Sequence, residues 1–449
     1  MAPQELLDII AETVRTQTTE LIIQAQDLIA LPPEIGNLTH LTSLKVSCPE
    51  LTSLPPEIGL LANLNQLDLV CRKLLALPPE IGQLTHLTDL HLFTNQPTSV
   101  PKEISLLTGL TSLLLYTHSW ETLPTEICNL TCLTTLVFAG SQWTTLPPQI
   151  NLLKNLQVLR LYSLKAISLP AEIGELTGLT ELTLECRALV ALPKQIGQLV
   201  NLTVLRVHHT QVTMLPPEIG HLTNLTELDL YYNQLMSLPP EIGYLRSLTI
   251  LSVTGNPLTF LPSTLGQLVQ LTELSLHANR LTDLPAEIGK LTNLRRLYLG
   301  RNLLSSLPPE INHAIQLETL VLHRNRFASF PPEICLLTNL KTLDLDENSL
   351  ESVPPAIGQL RQLCNLFLAD NRLKELPPEV GGLAALTTLN LSNNQLTALP
   401  PQISSMTQLR ELYVRHNHLV AIPAEILSMT GLSTLRIEGN LIPEDSDSN

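Results

Sequence analysis

The segment LTELDLYYNQLMSLPPEIGYLRS, residues 225–247, decides the fold because the chain repeats its pattern every 23 residues. The leading leucine recurs in the same phase, without insertion or deletion, through 17 full repeats from Leu41 to Gly431. A partial repeat, 21–40, precedes them. The consensus is LxxLxLxxNxLxxLPPEIGxLTx, so nearly all of the 34 prolines are periodic structure. A period of this length predicts a solenoid of stacked coils.

Each repeat contains one short strand. Alternation with period two places Leu228 and Leu230 on one face of that strand and Asp229 on the other. Asn233 then turns the chain, and its amide can bond backbone groups of the neighbouring coil that would otherwise be buried unpaired. The two prolines of LPPEI hold the backbone extended and open a helical turn. Because one coil cannot bury its own leucines, we expect the coils to stack through a parallel sheet.

This pattern resembles the leucine-rich repeat superfamily over about residues 21–440. The 23-residue LPPEIGxLTxLxxLxL form is similar to the Ras-group branch, which includes intracellular scaffolds, plant relatives and the repeat domains of bacterial and Roco-type signalling proteins. The resemblance implies an α/β solenoid: a leucine-rich repeat horseshoe with a concave parallel β-sheet and short 3-10 or helical turns on the convex side. It also implies that the concave face binds another protein, with small GTPases or their regulators as the suggested partner class.

The two ends of the chain differ from the repeats. Residues 1–20 carry apolar side chains at helical spacing from Leu6 to Val14, which predicts an N-terminal helix that caps the first coil. We assign 21–443 to the solenoid, about 18–19 repeats, and 444–449 to an acidic tail. No C-terminal cap is recognisable, so the last coil is expected to fray, to pair with another molecule, or to have lost a following domain.

The turn position divides the repeats into two groups. Repeats nine to eighteen carry Asn there: Asn233, Asn256, Asn279, Asn302, Asn325, Asn348, Asn371, Asn394, Asn417 and Asn440. Earlier residues at this position are Gln26, Pro49, Arg72, Asn95, His118, Ser141, Leu164, Arg187 and Thr210. The residue before them tends to be small, so we predict that most early strands run one pleat longer and that Cys48, Cys71 and Cys186 are small core residues. Exposure of these cysteines beside a buried Arg301 would contradict this prediction.

Composition argues against several classes of function. The formal net charge of −15 opposes a nucleic-acid or anionic-membrane footprint. No stretch approaches the roughly 18 apolar residues of a membrane span. Seven cysteines without regular close spacing do not indicate a disulfide framework, and the first residues do not read as a secretory signal. We therefore expect a reducing, cytoplasmic location.

Motifs for catalysis and metal binding are not found in the sequence. The chain has no GxxxxGK[ST], no HExxH and no Cys-x-Asp. His208 and His209 lack a third ligand at metal spacing. Because the repeats occupy nearly the whole chain, no segment is left for a catalytic domain. We expect no enzymatic activity, no catalytic residue, no metal and no cofactor.

Outward-facing strand positions collect six of the seven Tyr, six of the 12 His, Phe93 and Phe367. Exposed aromatics at this frequency reduce solubility unless a partner covers them, and Tyr and Arg are common interface anchors. Two surfaces are therefore candidate partner-binding sites. The first, the apolar stripe, comprises Phe93, Leu114, Tyr116, Val137 and Tyr162. The second, the mixed patch, comprises Arg206, His208, His209, Tyr231, Tyr232, His277, Tyr298, Arg301, His323 and Arg324.

Together these features predict a non-enzymatic protein-binding scaffold or adaptor in intracellular signalling, of undetermined oligomeric state. Two alternatives remain open. The solenoid could be the sensor or regulatory arm of a larger signalling enzyme, or it could recognise a glycan or small molecule through the Tyr and His residues of the mixed patch. If the mixed patch binds the partner, charge reversal at Arg301 and Arg324 should weaken binding by about a few kcal/mol without lowering thermal stability.

Overall fold

The chain divides into two compact units in a computed structural model that describes residues 3–96 and 98–443. Met1–Leu225 is the N-terminal unit and Thr226–Asn449 is the C-terminal unit. Both consist of parallel strands that alternate with 3-10 turns, which confirms the predicted α/β solenoid. The predicted acidic tail, 444–449, lies outside the described residues. In the described part of the chain, no helix has the length and apolar character needed to cross a membrane.

The N-terminal unit begins with helix α1 (Pro3–Thr16), which buries Leu6 and Ile10 and packs against the first 3-10 turn. The strands are β1 (Glu20–Gln24), β2 (Ser43–Ser47), β3 (Gln66–Val70), β4 (Asp89–Thr94), β5 (Ser112–Thr117), β6 (Thr135–Gly140), β7 (Val158–Ser163), β8 (Glu181–Cys186) and β9 (Val204–Val207). The 3-10 turns are Pro33–Asn37, Pro56–Leu60, Pro79–Gln83, Lys102–Leu106, Thr125–Asn129, Pro148–Leu152, Ala171–Glu175, Lys194–Gln198 and Pro217–His221. Each strand pairs in parallel with the next along the chain.

The C-terminal unit has the same order of elements with shorter strands. These are β10 (Glu227–Asp229), β11 (Ile250–Ser252), β12 (Glu273–Ser275), β13 (Arg296–Tyr298), β14 (Thr319–Val321), β15 (Thr342–Asp344), β16 (Asn365–Phe367), β17 (Thr388–Asn390), β18 (Glu411–Tyr413) and β19 (Thr434–Arg436). The 3-10 turns are Pro240–Tyr244, Ser263–Gln267, Ala286–Lys290, Pro309–His313, Pro332–Leu336, Pro355–Gln359, Pro378–Gly382 and Pro401–Ser405, followed by the short helix α2 (Ala424–Leu427). Consecutive strands are again parallel.

The LPPEI motif builds the turn of each coil. Pro239 is extended, with φ −68° and ψ 149°, and Pro240 opens the 3-10 turn, where a backbone N–H is not needed. Ile242 and Gly243 in this turn are buried. A Cβ atom on Gly243 would lie 2.6 Å from the backbone oxygen of Thr264 in the next coil. Glycine therefore permits the close stacking of the coils.

The core is a column of leucines shared between neighbouring coils. Leu228 points inward from β10, Leu230 follows directly after this strand, and Leu235 and Leu238 lie later in the same repeat; all four are buried. Burying one leucine side chain contributes roughly 2 kcal/mol. Because the neighbouring coils supply much of the surface that covers these leucines, the stability of one coil depends on the next.

Strand length distinguishes the two units. Strands β4 to β8 contain six residues each, whereas β10 to β19 contain three. Cys48, Cys71 and Cys186 have an exposed fraction of 0%, while Arg301 is exposed. The prediction that most early repeats carry one additional inward-facing position is confirmed.

A left-handed residue accompanies the shorter strands. From His209 onward, the residue before the turn position has a positive φ, for example 51° at His209 and 56° at Arg301. Gly255 and Gly439 occupy the same position with φ values of 71° and 75°. Left-handed backbone costs a residue with a Cβ roughly 1–2 kcal/mol. In the repeat before His209, Cys186 stays within its strand instead.

The Asn side chains join consecutive coils of the C-terminal unit. The Oδ1 atom of Asn256 accepts a hydrogen bond from the backbone N–H of Leu235 at 3.0 Å. Its Nδ2 atom donates to the backbone oxygens of Leu230 at 2.9 Å and Val253 at 3.1 Å. The same pattern recurs as far as Asn440. The amide thus satisfies backbone groups that would otherwise be buried without a partner.

In the N-terminal unit, small polar side chains near the turn position form hydrogen bonds to the backbone of the preceding coil. The Sγ atom of Cys186 donates to the backbone oxygen of Leu161 at 3.8 Å. The hydroxyl of Ser163 donates to the backbone oxygen of Trp143 at 2.8 Å. Burial raises the pKa of the Cys186 thiol to about 12, so the thiol stays protonated at neutral pH.

Candidate partner-binding site

The aromatic residues of the apolar stripe occupy one row on the outward face of the N-terminal sheet. Register pairs Phe93 with Tyr116, Tyr116 with Ala139, Ala139 with Tyr162 and Tyr162 with Glu185. Side chains in one row project to the same side because side-chain direction alternates with period two along each strand. Tyr116 is 40% exposed, and Phe93 and Tyr162 are half-buried. The row therefore offers aromatic surface to a partner.

Ala139 opens a gap in this row. Its methyl group lies between Tyr116 and Tyr162, whose Cα atoms are about 10 Å apart across two strand spacings. The gap belongs to a groove of about 270 Å³. We call this the tyrosine groove; its lining includes Phe93, Tyr116, His118, Ala139, Gly140, Tyr162, Leu164, Glu185 and Arg187. Because the groove lies wholly within the N-terminal unit, that unit alone forms it.

A buried aromatic cluster packs beneath the tyrosine groove. The ring of Phe138 stacks on Trp143 at a centroid distance of 5.2 Å and contacts Trp120 at 6.1 Å. These are the two tryptophans of the chain. The indole of Trp143 donates to the backbone oxygen of Tyr162 at 3.0 Å, and a Cβ on Gly140 would lie 3.1 Å from its Cδ1 atom. The backbone of the groove is thus held by a packed core.

The rim of the tyrosine groove is ordered by ring contacts. Phe93 lies 6.4 Å from Tyr116, with an angle of 32° between the rings. Phe93 also contacts His118 edge to face at 6.3 Å and 89°. Such tilted and edge-to-face pairs are favourable arrangements of aromatic rings. The rim is therefore preorganised, which lowers the entropy cost of binding.

Charged groups at one end of the tyrosine groove are unevenly paired. Arg160 donates to the Glu181 carboxylate at 2.8 Å, and Arg206 lies 3.4 Å from the same oxygen. Glu185 is half-buried and forms no ion pair within the described residues. Burial raises the pKa of Tyr162; Arg160 lowers it, while Tyr116, Glu185 and Glu181 raise it further. The groove therefore contains a carboxylate, next to aromatic rings, that forms no ion pair among the described residues.

One residue of the apolar stripe is less accessible than the sequence suggests. Val137 faces outward but is only 5% exposed. It lies between Leu114 and Arg160 in its row, and both of these neighbours have larger side chains. Val137 therefore does not contribute open surface, and Leu114 is itself half-buried.

The mixed patch is divided between the two units. Its N-terminal members are Arg206, His208 and His209, and its C-terminal members are Tyr231, Tyr232, His277, Tyr298, Arg301, His323 and Arg324. In the C-terminal unit the rings of Tyr231 and Tyr232 meet edge to face at 4.3 Å. Arg324 donates to Glu347 at 2.6 Å, so its charge is already paired within the patch.

A histidine pair occupies the middle of the C-terminal part. Gly300 lies between His277 and His323, whose ring centroids are 5.3 Å apart. The Nδ1 atom of His323 lies 2.8 Å from a carboxylate oxygen of Asp344. Burial, with the neighbouring His323 and Arg301, lowers the pKa of His277. His323 thus has a carboxylate partner within the C-terminal unit. The described residues contain no group of three or more His, Cys, Asp or Glu side chains that could hold a metal.

Comparison with known proteins identifies the family. The model of a leucine-rich repeat region matches residues 26–122, and the leucine-rich repeat model matches 200–258, 315–373, 361–419 and 384–442. A two-copy leucine-rich repeat model matches 269–313. The solved structure of a leucine-rich repeat protein from Leptospira interrogans is 37% identical, covers 83% of this chain and 96% of its own, and superimposes with a TM-score of 0.76. The chain belongs to the leucine-rich repeat family.

Two further structures similar to this leucine-rich repeat protein are plant receptors. The leucine-rich repeat ectodomain of the Arabidopsis thaliana membrane receptor kinase GASSHO1/SCHENGEN3, in complex with CASPARIAN STRIP INTEGRITY FACTOR 2, is 29% identical with a TM-score of 0.62. The match covers 94% of this chain and 57% of that one. The plant peptide hormone receptor RGFR1, in complex with RGF2, is 28% identical with a TM-score of 0.62 over 96% and 83% of the two chains. No protein of curated function matches the sequence.

Several groove residues of this leucine-rich repeat protein were not predicted from the sequence to belong to a binding site. These are His118, Ala139, Gly140, Leu164, Glu185 and Arg187. A small residue at an outward position, flanked at the 23-residue spacing by two tyrosines, could have indicated Ala139. The pairing of Arg160 with Glu181, which leaves Glu185 without a counter-ion, is visible only in the structure.

Proposed function

We propose that this leucine-rich repeat protein is a non-enzymatic scaffold or adaptor that binds a protein partner on the open face of its N-terminal sheet. The tyrosine groove is the observation that carries this proposal. It combines partly exposed aromatic side chains with a backbone held by the packed Phe138 and Trp143 rings. Rigid aromatic anchors of this kind supply much of the binding energy at protein interfaces.

The nature of the similar structures supports a protein or peptide partner. Two plant receptors at 29% and 28% identity were solved with a bound protein or peptide factor. Each match covers more than nine-tenths of this chain. We infer that this chain likewise binds a protein or peptide. Its partner need not be related to the factors bound by the plant receptors.

The setting that we propose is intracellular signalling in the cytoplasm. All seven cysteines are free thiols, and five of them are buried. This usage suits a reducing compartment, in which disulfides are rare. Small GTPases or their regulators are the partner class that the resemblance to the Ras-group repeats suggests.

Affinity capture with matched tyrosine variants tests the proposal. The full chain serves as bait, together with a Tyr116→Ser/Tyr162→Ser double variant and a Tyr244→Ser control. Tyr244 is 54% exposed and lies on the 3-10 turn Pro240–Tyr244, away from the groove residues in the sequence. We expect a specific partner, identified by mass spectrometry, to be retained by the wild type and the control and lost from the groove variant. Retention by the groove variant at unchanged yield would contradict binding at this face.

A further inference from the structure

We propose that the tyrosine groove recognises a basic side chain, lysine or arginine, presented by an extended segment of the partner protein. The side chain would enter the gap at Ala139, between Tyr116 and Tyr162, cross the ring of Tyr162, and direct its cationic end toward Glu185. This inference rests on the proposed function, because it specifies the chemistry of the partner at that same face.

The shape of the groove favours one long, narrow side chain. Ala139 leaves a gap one strand wide between two tyrosines of the same row. The neighbouring Gly140 cannot be enlarged, because a Cβ there would lie 2.5 Å from the backbone oxygen of Thr117. The backbone beside the gap therefore cannot carry a side chain at Gly140, and an unbranched or planar side chain fits the gap at Ala139.

Charge at the end of the groove favours a cation. Glu185 follows Tyr162 in the row, is half-buried, and forms no ion pair among the described residues. Arg160, the cation on the adjacent strand, is already bound to Glu181 at 2.8 Å. A partly desolvated carboxylate gains from a hydrogen-bonded counter-ion, and the net charge of −15 attracts basic segments over a distance.

The aromatic walls favour the same ligand. Tyr162 lies between Ala139 and Glu185 in the row, so a side chain that reaches Glu185 from Ala139 crosses this ring. Aromatic rings attract ammonium and guanidinium groups through the ring quadrupole. The methylene groups of lysine or arginine can pack against the rings while the charged end reaches the carboxylate. A neutral alkyl chain would make the packing contacts without the electrostatic ones.

Arg187 also lines the groove and makes an acidic ligand the competing possibility. It is exposed at the rim, whereas Glu185 is half-buried within the row of tyrosines. A charge that is more desolvated gains more from a partner of opposite sign. The geometry therefore favours the basic ligand over the acidic one.

Blocked single amino acids test the preference directly. The probes are the N-acetyl methylamides of lysine, arginine, norleucine and glutamate, titrated into the full chain. Because both tryptophans lie beneath the groove, intrinsic fluorescence reports occupancy, and saturation-transfer NMR provides a second measurement. We expect the lysine or arginine probe to bind roughly tenfold more tightly than norleucine, a difference of about 1.4 kcal/mol.

Single variants test whether Glu185 causes the preference for the basic probes over norleucine. Glu185→Gln should lower the affinity for the basic probe to that for norleucine and leave norleucine binding unchanged. Glu172→Gln removes one negative charge from the 3-10 turn Ala171–Glu175 and should retain the preference. Tyr162→Leu should weaken all probes that enter the groove.

The possible outcomes separate this inference from the proposed function. Equal affinity for the four probes, tighter binding of the glutamate probe, or no binding at millimolar concentration would overturn the basic-ligand inference. Loss of partner capture in the Tyr116→Ser/Tyr162→Ser variant would still support the proposed function in those cases. Conversely, basic-probe binding that depends on Glu185, together with full capture by the groove variant, would support the ligand chemistry and contradict the proposed partner site.

Discussion

The side-chain amide of Asn302 donates a hydrogen bond to the backbone oxygen of Leu276, which lies 26 residues earlier in the chain, at 2.9 Å. The same Nδ2 atom donates to Leu299 at 3.0 Å, and Oδ1 accepts from the backbone N–H of Leu281 at 3.1 Å. Asn302 is buried, with an exposed fraction of 4%. One side chain therefore satisfies backbone groups of two coils at once, where water cannot replace it.

Removal of this amide should destabilise the protein strongly. We expect Asn302→Ala to lower the free energy of unfolding by roughly 2–4 kcal/mol, because several buried backbone groups lose their partner. Asn95→Ala is the matched control: Asn95 occupies the same position of its repeat but is exposed. Urea unfolding followed by circular dichroism measures both. A loss at Asn95 as large as that at Asn302 would contradict the structural role of the buried amide.

The left-handed position before Asn302 should favour glycine. Arg301 has a φ of 56°, a region in which a Cβ is disfavoured. We expect Arg301→Gly to be more stable than Arg301→Ala by about 1 kcal/mol. At Arg72, which is exposed and is not among the residues with positive φ, the order should reverse because glycine loses more conformational freedom on folding. Thermal unfolding of the four variants measures the stability difference between Gly and Ala at each site. The same order of stability at Arg301 and Arg72 would refute the assignment of a left-handed backbone to Arg301 alone.

The carboxyl group of Asp346 should make the stability depend on pH. Burial, followed by the nearby Asp344, raises its pKa to about 7, and its Oδ1 atom accepts a hydrogen bond from the backbone N–H of Ala369 at 2.6 Å. A folded-state pKa above the unfolded value means that the folded protein holds this proton more tightly. The stabilisation that comes from holding this proton is complete below about pH 4, and it is lost as the pH rises through about 7.

Asp346→Asn should remove this dependence while keeping the oxygen that accepts the hydrogen bond. We expect the variant to exceed the wild type in unfolding free energy by roughly 1–2 kcal/mol at pH 8, after discounting for solvent screening, and by much less at pH 5. Urea unfolding at both pH values measures the difference. Asp283→Asn, at an exposed position, controls for the removal of one charge. An unchanged difference between the two pH values would show that Asp346 is ionised throughout.

The cysteines should differ widely in reactivity. Burial raises the pKa of Cys71, Cys128 and Cys186 to about 12 and that of Cys335 to about 11, whereas Cys132 is exposed. Since the thiolate is the reactive form, iodoacetamide at pH 8 should label Cys132 in the native protein and the buried thiols only after unfolding. Peptide mass spectrometry resolves the sites. Rapid native labelling of Cys186 would contradict its place in the core.

Local pattern was sufficient to predict the solenoid, the buried leucines and the longer early strands. Each of these depends on side-chain alternation within one strand and on a phase that repeats every 23 residues, and both can be read along the sequence. The inward direction of Cys186 and the exposure of Arg301 follow from the same rule. The left-handed residue that follows each short strand is the backbone feature that accompanies this difference.

The candidate site required the tertiary structure. The sequence placed Tyr116 and Tyr162 on the outward face, but the groove between them arises because Ala139 of the intervening strand is small. Val137 is buried between its row neighbours Leu114 and Arg160, and Arg160 pairs with Glu181 rather than with Glu185. Sequence by itself determined which residues face inward, since that is a property of one strand and its period. Tertiary structure decided which outward residues act together, since neighbours on adjacent strands compete for the same contacts and charges.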